Sequence, residues 1–152
     1  MAVAKSVAPD AVWLPLFLVW LVSLLATVGS LFFSEIMAFP PCTLCWYQRI
    51  AMYPIVAIST VALLTRDTQV AKYLWPLVVV GFVITVYHCL LYYGVIAAEI
   101  VPCGSVVSCT ERQLDLLGFV SIPLLSLGSF LALAGGLMWF NALVKGSVRE
   151  DQ

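Results

Sequence analysis

The sequence predicts an all-α membrane protein: a four-transmembrane-helix bundle with a short amphipathic interfacial helix in its second extracytoplasmic loop. Three observations predict it. Of 152 residues, 63% are hydrophobic and only 10% are charged, against about a quarter charged in ordinary soluble domains. Four apolar stretches, at 12–33, 46–64, 73–98 and 122–144, each approach the roughly 20 residues that cross a hydrocarbon core of about 30 Å. The basic residues also sort to one side of those stretches. The length suits a single integral membrane domain over residues 1–152. Backbone groups in lipid must be satisfied within their own segment, so each span is read as a helix.

The first stretch, 12–33, is read as a retained span and not as a cleaved signal peptide. It is long for a signal sequence, and removing it would leave an odd number of spans. The second is short. Its uninterrupted part begins at Ile50 and ends at Leu64, about 22 Å of helix at 1.5 Å per residue. To cross, it must recruit the turn or two holding Cys45, Trp46, Tyr47, Gln48 and Arg49. These then lie at the interface, where Trp and Tyr are favoured. The third stretch runs past His88, Tyr92 and Tyr93 to a boundary near Ala98. Before the fourth, Thr110-Glu111-Arg112-Gln113 has the form of a capping box. Leu114, Leu116, Leu117, Phe119 and Val120 then let a short helix lie on the membrane surface.

Orientation follows from charge. Lys5, Arg66, Lys72, Lys145 and Arg149 fall at the termini and in the connection between the second and third spans, and only Arg49 and Arg112 fall on the other side. The positive-inside rule puts both termini in the cytoplasm and both cysteine-bearing loops outside, where disulfides persist. A net charge of −1 offers no concentration of Lys and Arg for nucleic acid. Nothing in the pattern asks for more than a monomer.

Cys42 and Cys45 form a C-x-x-C motif at the mouth of the second span. By spacing alone such a pair is half a zinc site or a redox dithiol. Two prolines precede Cys42, which puts it in the first turn of a helix, where the helix dipole favours a thiolate. Arg49 lies four residues beyond Cys45, on the same helical face. A cation at that depth is either a functional group or a snorkelling side chain. It could stabilise a Cys45 thiolate or bind a carbonyl oxygen of a cofactor. Cys103 and Cys109 enclose Gly104-Ser105-Val106-Val107-Ser108, a small loop whose disulfide would be exposed and exchangeable or a simple staple. With Cys42 and Cys45 they also form the four-thiolate set of a structural zinc protein, a reading that oxidising surroundings oppose. His88 is the only histidine, which excludes a bis-histidine haem. At its depth it is either a proton-handling group or a hydrogen-bonded core residue. Cys89 is read as a small buried hydrophobe.

These residues resemble the DsbB family of disulfide-forming membrane proteins, and more closely its short BdbC branch. The resemblance is carried by Gly29-Ser30-Leu31-Phe32-Phe33-Ser34-Glu35, by Pro41-Cys42-Thr43-Leu44-Cys45-Trp46-Tyr47-Gln48-Arg49-Ile50-Ala51-Met52-Tyr53-Pro54, by Tyr87-His88, by the Cys103 and Cys109 pair, and by Gly118-Phe119-Val120-Ser121-Ile122-Pro123. It covers nearly the whole chain. It implies a bacterial cytoplasmic (inner) membrane enzyme that reoxidises a secreted or periplasmic thioredoxin-fold dithiol oxidase and passes the electrons to ubiquinone or menaquinone. Carried over by motif, Cys103 is attacked by the partner, Cys109 attacks Cys42, and Cys45 faces the quinone. Arg49 and His88 would then serve the quinone, no metal is implied, and Glu35 receives no role. The outer cysteines lie closer together here than in the longer members, so their order of attack is the less transferable part. A vitamin K epoxide reductase-like protein is the nearest enzymatic alternative, but that family carries its C-x-x-C near the last helix.

Overall fold

Residues 12–38, 40–96 and 121–150 are described by a computed structural model. Helix α1 spans Trp13–Leu31 and continues as a π-helical turn over Phe32–Ile36. Helix α2 spans Thr43–Thr65, α3 spans Ala71–Tyr92 and α4 spans Ile122–Glu150. All four are long and apolar enough to cross a membrane. Each packs on the next, and α4 returns against α1 to close the bundle.

The core is a column of large apolar side chains. Leu16, Ile55, Leu74, Phe130, Leu133, Leu137 and Phe140 are all fully buried. Large apolar groups also cover the outside: Leu64 is 80% exposed and Met138 63%. They are part of a broad exposed apolar surface spread over all four helices, larger than water-facing proteins usually show and suited to lipid. Polar groups also join the spans, as between Trp20 Nε1 and Thr60 Oγ1 at 2.9 Å. A smaller cluster at the other end of α2 packs Cys42 and Leu44 against Leu91 of α3.

The helix ends differ from expectation where backbone chemistry decides them. Expected to reach residue 98, α3 stops at Tyr92. Gly94 adopts φ +71°, its N–H donates to Leu91 O, and the Val95 N–H donates to Leu90 O. This is a Schellman cap, which ends a helix whatever the hydropathy beyond it. His88 is therefore one turn from the helix end and not deep in the span. The second helix begins at Thr43, three residues before the expected start, because Cys42 caps it. The first runs five residues beyond Leu31 by widening into a π-turn. The fourth runs past 144 to Glu150. The expected interfacial helix lies outside the described residues.

Candidate active site

Cys42 occupies the N-cap of α2, with φ −67° and ψ 164°. An N-cap leaves the next backbone N–H groups without helical partners. One of them, Cys45 N–H, donates to Cys42 Sγ at 3.3 Å. The next turn brings Cys45 Sγ to 2.6 Å from Cys42 Sγ. Helical geometry thus does for the C-x-x-C what a Ser cap does for an ordinary helix, with a reactive sulfur as the acceptor. Cys42 is consequently pushed down from 9.0 to about 4. The hydrogen bond from the Cys45 thiol is the largest cause. Burial opposes it, while His88 and the Cys45 N–H assist. In the reduced pair Cys42 is the sulfur that holds the negative charge.

His88 is 3% exposed, with Nε2 3.9 Å from Cys42 Sγ and Nδ1 3.1 Å from Gln48 Nε2. Gln48 in turn accepts at Oε1 from Ser126 Oγ of α4, at 2.9 Å. Three helices therefore meet behind the sulfur pair. Arg49 is also buried, at 8% exposed. Its Nε donates to Ser30 Oγ and its Nη2 to Ser30 O, both at 2.7 Å. Its guanidinium carbon lies 5.4 Å from the Trp46 ring centroid. Both of the Ser30 bonds go to neutral groups of α1.

A cavity of about 420 Å³ opens among α1, α2 and α4. Val22, Leu25, Met52 and Phe130 give it apolar walls, while Ser30, Cys45, Gln48, Arg49 and Ser126 supply polar groups. Neither Cys42 nor His88 belongs to its wall. The two sulfurs therefore have different outlooks: Cys45 borders the cavity, and Cys42 lies against His88.

The ligand atoms of Cys42, Cys45 and His88 fall within 4.8 Å of one another. Two thiolates on tetrahedral zinc, each about 2.3 Å from the metal, stand about 3.8 Å apart. The sulfur contact here is shorter than that. Cys103 and Cys109 lie outside the described residues. Cys89 is buried in α3 and takes no part in the bonds joining Cys42, Cys45 and His88.

The family model for "Disulfide bond formation protein DsbB" matches residues 12–140. The chain belongs to the DsbB family. It is 42% identical over 135 residues to "Disulfide bond formation protein C" of Bacillus subtilis (strain 168), covering 89% of this chain and 95% of that one. Likewise it is 44% identical over 114 residues to "Probable disulfide formation protein C 2" of Bacillus anthracis, with 75% and 81% covered. A "Probable disulfide formation protein" of Metapseudomonas resinovorans is 40% identical over 123 residues, with 80% and 85% covered. No solved structure matches the chain. This DsbB-family protein is thus a multi-pass membrane disulfide oxidoreductase that acts in disulfide-bond formation. Its site also contains residues to which sequence reading gave no role. Ser30 and Gln48 stand inside the matching stretches but only as motif letters, and Thr27 and Ser126 gave no signal at all.

Proposed function

We propose that the protein oxidises the dithiol of a secreted or periplasmic thioredoxin-fold oxidase by disulfide relay and delivers the electrons to membrane quinone, ubiquinone or menaquinone. The observation that carries this reading is the split outlook of the sulfur pair, with Cys45 on an apolar cavity and Cys42 away from it. The cavity's volume lies within the range of small-molecule sites. Its residues fit a ring bearing carbonyl oxygens. Thr27 Oγ1 in its wall is buried without a hydrogen-bond partner among the described residues, and Arg49 brings a cation to the same wall. Arg49, Thr27 and Gln48 are the groups that would hold such a ring. A quinone there supplies a two-electron acceptor for the reduced pair.

The protein's own residues carry the exchanges. A partner thiolate attacks Cys103, the Cys103–Cys109 bond breaks, and Cys109 is released as a thiolate. Cys109 then attacks Cys42, the Cys42–Cys45 bond breaks, and Cys45 leaves as a thiolate at the cavity. The partner's second thiol then displaces Cys103 and leaves oxidised, Cys103 displaces Cys42 from Cys109, and the freed Cys42 and Cys45 hold the two electrons. Each exchange forms one S–S bond and breaks one. The proposed orientation has both termini in the cytoplasm of a bacterium and the cysteine loops outside its inner membrane. Arg66 and Lys72, which flank the α2–α3 connection at the opposite end from Cys42, support it.

The test uses purified protein with its disulfides intact, a reduced thioredoxin-fold dithiol and a soluble ubiquinone or menaquinone analogue. Loss of quinone absorbance in step with partner oxidation is expected. Absence of quinone reduction with both analogues would overturn the reading.

A further inference from the structure

Gln48 is 8% exposed and joins two helices other than its own. Its Nε2 meets His88 Nδ1 of α3 at 3.1 Å, and its Oε1 meets Ser126 Oγ of α4 at 2.9 Å. An amide NH₂ group donates and does not accept. The contact with His88 therefore requires a lone pair on Nδ1, and a neutral imidazole with a bare Nδ1 carries its proton on Nε2. Nε2 is the atom that faces Cys42 Sγ.

Which end of the amide faces the ring depends on Ser126. Thr85 Oγ1, 3.4 Å from Ser126 Oγ, already donates its hydrogen to Gly81 O at 2.8 Å. The Ser126 hydroxyl has one hydrogen, and its shorter contact is with Gln48. A hydroxyl donating there holds the carbonyl end of the amide toward α4 and turns the NH₂ toward His88.

We infer that Ser126 is a positioning residue: by orienting the Gln48 amide it fixes His88 as the Nε2–H tautomer and presents that N–H to the Cys42 sulfur. The inference deepens the disulfide-exchange reading and rests on it. A donor facing the sulfur stabilises Cys42 as a thiolate, and an easily ionised thiol is the better leaving group, the part Cys42 takes when Cys103 displaces it from Cys109. The other tautomer would aim a lone pair at the same charge. A hydrogen bond with His88 acts on Cys42 in the direction this geometry requires, beside an electrostatic effect of the ring that does not depend on the tautomer. The other titratable group against Cys42, among the described residues, is Cys45.

The chain has one histidine, so ¹⁵N-histidine labelling reads a single imidazole. In the reduced, quinone-free protein near neutral pH, a pyridine-type Nδ1 and a pyrrole-type Nε2 are expected. Ser126→Ala should mix or invert the tautomers. It should also move the pH midpoint of Cys42 alkylation, followed by peptide mass spectrometry, upward by about one unit. Ser126→Thr, which keeps the hydroxyl, should restore both signals. Gln48→Met, which removes the amide, should reproduce the loss if Ser126→Ala folds poorly. An Nδ1–H or doubly protonated imidazole in the wild type overturns the inference, as does an unchanged tautomer and midpoint in Ser126→Ala and Gln48→Met. Neither readout uses quinone. A failure here leaves quinone reduction standing, and a correct tautomer in a protein that reduces no quinone refutes only the proposed function.

Discussion

Arg49 grips Ser30 twice, through Nε to the hydroxyl and through Nη2 to the backbone carbonyl, both at 2.7 Å. This ties the active-site turn of α2 to the end of α1, just before the π-turn begins. A guanidinium can make this two-point contact and still direct charge elsewhere, whereas an ammonium acts as a point charge. Arg49→Ala should lower quinone-dependent kcat/KM by at least about tenfold, the scale of a lost charged hydrogen bond. Disulfide exchange between the partner and the outer cysteines should persist. Arg49→Lys should fall between Ala and wild type. Quinone reduction and mixed-disulfide formation, measured side by side, check this. Equal loss of both would make Arg49 structural.

The pair's chemistry sets a pH profile. Cys42 lies well below the ordinary thiol range, first through the Cys45 thiol and also through His88. Alkylation of Cys42 in the reduced protein should stay nearly constant from about pH 8 to about pH 5, then fall with a midpoint near 4. An unperturbed thiol loses about tenfold in thiolate per pH unit over that range. The folded value is lower than the unfolded one, so the unfolded chain binds the proton more readily. The stability this group gives the reduced protein is full above about pH 9 and is lost as pH falls through about 4. A thermal unfolding series on the reduced form should therefore show less stability in acid, and Cys42→Ser should flatten that part of the curve.

Sulfur position also sorts the cysteines. Cys42→Ser and Cys45→Ser should each abolish quinone reduction, since neither leaves a dithiol to oxidise. Cys89→Ser should leave it nearly intact, because Cys89 is one residue from His88 in sequence but outside the bonded group. Steady-state quinone reduction by the three variants checks the division.

Much of this arrangement was legible in the sequence, and the remainder has a physical reason. The four spans follow from apolar length, and Cys42, Cys45 and Arg49 share one end of α2 because helical spacing puts them there. The end of α3 was missed because hydropathy continues through Val95 and Ile96 while the backbone turns at Gly94. Gln48 went without a role for a different reason. Its partners lie 40 and 78 residues away, and no local period encodes a contact across three helices. His88 was expected beside the cofactor, and its ring lies against Cys42 and Gln48, outside the cavity wall.

Two neighbouring glycines offer a test of how closely the spans pack. Gly135 has open space where a Cβ would stand, whereas a Cβ on Gly136 would come 2.6 Å from Val19 Cγ2 of α1. Gly81 of α3 is tighter still, for a Cβ there would overlap the Phe130 ring, which is fully buried. Overfilling a packed interior costs about 1–3 kcal/mol because its neighbours must leave their preferred rotamers. Gly81→Ala should therefore destabilise the bundle by about that much, and Gly136→Ala by less, since one valine methyl must yield instead of a ring. Gly135→Ala should cause no loss. Unfolding of the three variants in detergent gives the order. Adding Phe130→Leu to Gly81→Ala should recover part of the loss, and additive losses in the double variant would show that the ring is not the obstacle.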